Sequence, residues 1–136
     1  MLCRLIYASR TTAKADAAAI DNIVEVARAR NELRDITGVL VFNADFFMQV
    51  LEGERAVLNG LLRQIWSDER HSDLQILEMT DISERRFVRW SMGFVRADTL
   101  GRSTLLKYSP TSHFDPYRLT ADGAYKLLLD YADSAV

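Results

Sequence analysis

The stretch Ile36-Thr37-Gly38-Val39-Leu40-Val41-Phe42-Asn43-Ala44-Asp45-Phe46-Phe47-Met48-Gln49-Val50-Leu51-Glu52-Gly53 leaves this chain few ways to fold. An apolar run at 39–42 meets a second at 46–51 across Asn43-Ala44-Asp45, a short connection of turn-forming residues, which is the pattern of a β-hairpin. Alternation places Phe47, Gln49 and Leu51 on one face of the second strand, with Phe46, Met48 and Val50 on the other. Both faces are apolar, so both must be covered, as in a central strand. Gln49 is the exception. A buried amide needs partners for its donors and acceptors or costs about 1–3 kcal/mol. Within this stretch alone, satisfaction by local backbone accounts for it; what the rest of the chain offers Gln49 decides whether it does more.

At 136 residues the chain is the size of one domain. Its 49% hydrophobic and 26% charged residues are those of a soluble globular protein. No run reaches the ~18 apolar residues of a membrane span, and the N-terminus lacks the pattern of a signal peptide. The single cysteine, Cys3, excludes an internal disulfide and suggests a reducing, cytoplasmic compartment. A net charge of −2 gives no footprint for nucleic acid. Neither a cysteine–histidine metal motif nor a phosphate-binding glycine loop is present in the sequence.

Residues 2–8 alternate as a first strand, with Cys3, Leu5, Tyr7 and Ser9 on one face. Tyr7 fits a core residue with its hydroxyl at the rim. Residues 13–30 are strong helix formers with Ile20, Ile23, Val24 and Ala27 at helical spacing, and Asn31 falls where that helix should stop. As an amide, Asn31 is also a candidate ligand group. A second amphipathic helix is predicted over 55–66, with Val57, Leu58, Leu61, Leu62 and Ile65 as its apolar face. A polar loop at 67–72 contains Asp68 and His71, the latter in the position of a solvated histidine. Strands are expected at 74–82 and, less regularly, at 87–95. In that last run Trp90 and Met92 share parity and so can face one side of the sheet; by default both belong to the core. A short helix near 99–108, a linker with Pro116, and a helix over 120–132 complete the chain.

The order strand-helix-strand-strand-helix-strand-strand is the split βαβ pattern of an α+β, ferredoxin-like sandwich, a mixed sheet with two helices on one face. The two tail helices then cover the back of the sheet or meet a partner. Residues 1–96 are the expected core domain and 97–136 a C-terminal helical extension.

Several fragments in this order resemble the BLUF family, blue-light sensors that use a flavin. They are Leu5-Ile6-Tyr7-Ala8-Ser9, Asn31 followed by Ile36-Thr37-Gly38, Phe47-Met48-Gln49-Val50-Leu51-Glu52-Gly53, Asp68-Glu69-Arg70-His71, and Arg86-Phe87 with Trp90-Ser91-Met92. The resemblance implies that Tyr7 is the electron and proton donor to the excited flavin. Gln49 would bridge the Tyr7 hydroxyl and the flavin edge, Asn31 would hold the flavin carbonyl region, and Trp90 and Met92 would form the switch segment. Ile23 and Ile65 would line the cleft between the two helices, with Gln64, Asp68 and His71 near the ring. Here the chain departs from the family, which often has an arginine immediately before the isoleucine of the second helix. This sequence has Gln64 before Ile65, with Arg63 one position earlier. FAD is the cofactor the resemblance implies first, with FMN or riboflavin as alternatives.

The residues suit that role on their own terms. Tyr7 and Gln49 have parities that can point to the same sheet face, the one under the two helices, and a glutamine amide presents a donor at one end and an acceptor at the other. Rotating or tautomerising it exchanges those ends; an ionised carboxylate, which only accepts, could not do so. The expected function is therefore a blue-light photoreceptor that signals to a separate downstream protein through its C-terminal helices or sheet face, without catalysis, and as a homo-oligomer. Two other classes fit the fold: a small enzyme and a ligand-sensing module without photochemistry. Against the first, His71, His113 and Asp68 are sparse and form no nucleophile–base pair. Flavin binding discriminates against the second.

Overall fold

A computed structural model describes residues 1–134 of the chain; the last two residues of the expected extension lie outside the described residues. The elements are β1 (Leu2–Thr11), α1 (Ala17–Leu33), β2 (Thr37–Phe42), β3 (Phe46–Glu54), α2 (Arg55–Trp66), β4 (His71–Asp81), β5 (Gly93–Arg96), α3 (Arg102–Tyr108) and α4 (Ala121–Ser134). Single 3₁₀ turns at Ala97–Thr99 and Pro116–Arg118 flank α3 and its linker. The strands form one sheet in the order β4-β1-β3-β2-β5, with β2 and β5 parallel and the other neighbours antiparallel. This is the expected α+β, ferredoxin-like arrangement.

The hairpin sits where its two apolar faces require, with β3 between β1 and β2. Gly38 permits its closest approach. A Cβ there would lie 2.0 Å from the Val50 carbonyl oxygen, so only glycine lets β2 pair with β3 in this register. On one side Cys3, Leu5, Tyr7, Leu40, Phe47 and Leu51 pack with Ala27 of α1 and Leu58 and Leu61 of α2. On the other, Ile6, Val39, Val41, Met48 and Val50 meet Leu105 of α3 and Leu127 and Leu128 of α4. The tail therefore covers the back of the sheet. Each fully buried leucine there contributes on the order of 1.5–3 kcal/mol of apolar transfer.

Local chemistry moves several expected boundaries. Asp16 caps α1, its carboxylate accepting from the Ala19 N–H at 2.9 Å, so the helix starts after 13. It also runs past Asn31: Asp35, at φ 55°, takes the left-handed turn, and Asn31 is helical with its side chain free for other work. β4 begins at His71 rather than 74, because an edge strand tolerates the polar Ser72 and Asp73 that masked it.

The largest correction is at 87–95. Only Gly93–Arg96 is strand; residues 87–92 are irregular and cross from the back of the sheet to its helical face. Phe87 and Trp90 pack with the back core, whereas Met92 lies in the helix-side core. Trp90 and Met92 thus face opposite sides, because strand parity does not apply to backbone that is not a strand.

Candidate functional site

The register of the central strands brings Tyr7 opposite Gln49. Both point toward the helices, and the Tyr7 hydroxyl donates to Gln49 Oε1 at 2.6 Å. Gln49 Nε2 in turn lies 3.2 Å from the Met92 sulfur, a weak acceptor. The three side chains are buried. Burial pushes the Tyr7 phenol well above its ordinary pKa; nearby Arg30 opposes this and Asp68 adds to it. Tyr7 therefore keeps its proton at rest.

Asn31 is fully buried on α1 and donates through Nδ2 to the Ser91 carbonyl at 2.8 Å. Its Oδ1 accepts from Arg30 Nε at 3.3 Å. Arg28, one turn back, reaches the Met92 carbonyl at 3.3 Å, and the Gly38 N–H reaches that of Trp90 at 3.0 Å. Three consecutive carbonyls of the 90–92 segment are thus held by α1 and the start of β2.

At the other end, His71 is not a solvated loop residue. Its Nδ1 shares a hydrogen bond with the Ser9 hydroxyl at 2.7 Å, and its ring packs 4.6 Å from that of Phe47 and 6.3 Å from that of Tyr7. Burial lowers its pKa to about 4, with Asp68 opposing, so it is neutral near pH 7. Asp68 pairs with Arg70 at 2.5 Å, a bond that holds its carboxyl below the usual range. Arg70 also reaches Asn22 and the Ala19 carbonyl, tying the α2–β4 loop to α1. Ile23 and Ile65 are half-buried against the helix-side core. Gln64 is exposed, outside this cluster.

Arg30, Arg28 and Ser9 join the constellation without having been singled out from sequence. Ser9 shares Tyr7's parity, and Arg30 lies about one turn beyond Ala27 and two beyond Ile23, so spacing alone could have flagged both. The arrangement suits a planar, polar-edged group such as a flavin. Gln49 makes two of the four hydrogen bonds an amide can make, one of them with Tyr7, and Asn31 is bonded to Arg30, whose charge acts on Tyr7. While α2 packs closely on β1, β3 and β4, α1 makes no comparably close backbone approach to the sheet. A cavity of about 540 Å³ lined by Ala15, Ile20, Phe42 and Phe94 opens near the start of α1, away from Tyr7 and Gln49, and is not part of this constellation. Among the described residues no cluster of His, Cys, Asp or Glu could hold a metal ion, and no helix is long and apolar enough to cross a membrane.

A family model described as sensors of blue light using FAD matches residues 2–93. The chain belongs to the BLUF family. Among solved structures similar to it, the photo-activated state of BlsA matches with a TM-score of 0.85 at 33% identity, over 96% of this chain and 94% of that one. The dark state of the BLUF protein BlrB matches with a TM-score of 0.79 at 31% identity, over 99% and 97% of the two chains. Among curated proteins, the blue light- and temperature-regulated antirepressor BluF of Escherichia coli (strain K12) is 35% identical over 92 residues, 68% of this chain. The chain covers 23% of that protein's length, and 8% of the similar photoactivated adenylate cyclase subunit alpha of Euglena gracilis. As a BLUF domain, the chain is a flavin-using blue-light sensor.

Proposed function

We propose that Tyr7 and Gln49 are the photoactive pair of this sensor, that Met92 reads the state of Gln49, and that Trp90 passes it to the C-terminal helices. The observation that carries this reading is the continuous chain from the Tyr7 hydroxyl through the Gln49 amide to the Met92 sulfur, at 2.6 and 3.2 Å. Asn31 and Arg30 would hold the polar edge of the ring, Ile23 and Ile65 its flat faces, and His71 and Asp68 its surroundings. FAD is the form proposed, with FMN or riboflavin acceptable, since exposed Gln64 supplies no guanidinium to select a phosphate.

A bound flavin supplies blue-light absorption and, when excited, a demand for an electron and a proton. Tyr7 holds its proton at Oη, already directed at Gln49 Oε1. Reversal of the amide, by rotation or tautomerisation, would set a donor toward the Tyr7 oxygen. Rotation would also turn an oxygen toward the Met92 sulfur, which has no hydrogen to give, and tautomerisation would take a proton from the nitrogen that faces it. The 3.2 Å contact is then lost, and the Trp90–Met92 segment, left with its backbone carbonyls on Gly38, Asn31 and Arg28, would shift on those remaining bonds. Trp90 lies 6.1 Å, ring to ring, from Tyr131 of α4, and Phe87 lies 6.4 Å from Tyr125. Residues 1–96 would thus act as the sensor and 97–136 as the output element. Output would pass in the cytoplasm to a separate protein, with self-association as a second readout and no catalysis by this chain. Relatives that are an antirepressor and adenylate cyclases make a regulated effector the class of partner to seek.

The test is the absorption spectrum of the flavin-loaded protein before and after blue light. A small, reversible red shift is expected. A bleached flavin would point to redox turnover instead, and a chain that binds no flavin would end this reading.

A further inference from the structure

The segment that crosses the sheet, residues 86–92, is held at its far end by a group the photochemistry does not use. Glu52 is fully buried on β3, three residues beyond Gln49. Its Oε1 accepts from the Phe87 N–H at 3.0 Å and from the Thr37 hydroxyl at 2.8 Å, and its Oε2 from the Arg86 N–H at 2.6 Å. Arg85 braces the same point, donating through Nη1 to the Glu52 backbone carbonyl at 3.1 Å and to the Thr37 hydroxyl at 3.0 Å. β3 therefore grips the crossing segment twice, on the back face through Glu52 and on the helical face through Gln49 and Met92.

We propose that Glu52 is a positioning residue for signal output, the fixed point against which a change at Gln49 becomes movement of Trp90 and α4. A segment held only at residues 90–92 would absorb a small displacement in its own backbone. Charge-assisted bonds to a buried carboxylate are about twice as strong as neutral ones, so residues 86–87 stay put and the displacement falls on 88–92. Trp90, inside that stretch, meets Tyr131 of α4, while Phe87, in the held part, meets Tyr125. Glu52 is on the opposite face of β3 from Gln49, so it acts on output without touching the hydrogen bonds of Tyr7.

This inference rests on the reading of Gln49 given above, and the test separates the two. Glu52→Gln keeps the size of the side chain but replaces one acceptor oxygen with an NH₂ group, leaving one of the two backbone N–H groups facing a donor. Flavin-loaded full-length protein is compared in darkness and under continuous blue light by absorption and by hydrogen exchange of peptides from α4. For the unsubstituted protein a red shift and a light–dark change in α4 exchange of at least about fivefold are expected. In Glu52→Gln the red shift persists and the α4 change collapses toward onefold. Thr37→Val, which removes one donor to the carboxylate and leaves the core volume alone, gives the same split more weakly and serves if Glu52→Gln does not fold. An unchanged α4 response in both variants overturns the inference, and so does loss of the red shift together with the response in folded Glu52→Gln. No red shift in the unsubstituted protein overturns the reading beneath it.

Discussion

Replacing Gln49 by leucine tests the site at its centre, because the cost follows from a count of hydrogen bonds. The Tyr7 hydroxyl is buried, with Gln49 Oε1 as its hydrogen-bond partner. Gln49→Leu strands that hydroxyl at about 1–3 kcal/mol, part of which the added apolar side chain returns, for a net loss of about 1–2 kcal/mol. Tyr7→Phe alone strands the amide oxygen at about 1 kcal/mol. The double variant strands neither, so its loss should be far below the sum, with a coupling of about 1–2 kcal/mol. Urea unfolding of the flavin-loaded proteins in darkness reads this as a midpoint offset of roughly 0.5–1 M from additivity. Both single variants should bind flavin, Gln49→Leu without the light-induced red shift and Tyr7→Phe without photocycling. Additivity within about 0.3 kcal/mol would refute the bond as an energetic unit, and a normal red shift in Gln49→Leu would refute its role.

Gly38→Ala places a methyl group 2.0 Å from the Val50 carbonyl oxygen, in backbone that cannot yield without opening the β2–β3 ladder. A loss of about 3 kcal/mol and ~10 °C in Tm is expected, and a drop below about 1 kcal/mol in thermal melts would show that the strands can separate cheaply. Gly93→Ala sets a Cβ 2.7 Å from Trp90 Cε3, so the indole must shift; near-ultraviolet circular dichroism should change while the flavin red shift is kept. His71 has a pKa of about 4 when folded against 6.5 otherwise, lowered by burial. Below pH 6.5 the unfolded chain takes a proton that the folded chain refuses. This contribution is therefore whole above 6.5 and is lost as pH falls toward 4, about 3 kcal/mol in all. His71→Gln should flatten that window in unfolding experiments, and an unchanged slope would place the ring in solvent.

Period-two alternation made the hairpin and the faces of its strands legible in the sequence, since side-chain direction in a strand follows from position alone, whereas the contact of Tyr7 with Gln49 was implied by the family resemblance. Helical spacing gave α2 its bounds, 55–66, and showed that the tail had an apolar face to bury. Other features depended on partners distant in sequence. Asn31 looked like a helix stop, and the fold gives its buried amide a partner in the Ser91 carbonyl, 60 residues away. His71 looked solvated until Ser9 and Phe47 enclosed it. Residues 87–92 looked like a strand because they are apolar. Their backbone groups pair instead with Glu52, Gly38, Asn31 and Arg28, and this sends Trp90 and Met92 to opposite faces. Local pattern fixes which way a regular element points. Where backbone hydrogen bonds leave the ladder for side chains, no periodicity remains to read, and direction is set by whichever buried donors and acceptors the assembled fold brings within reach.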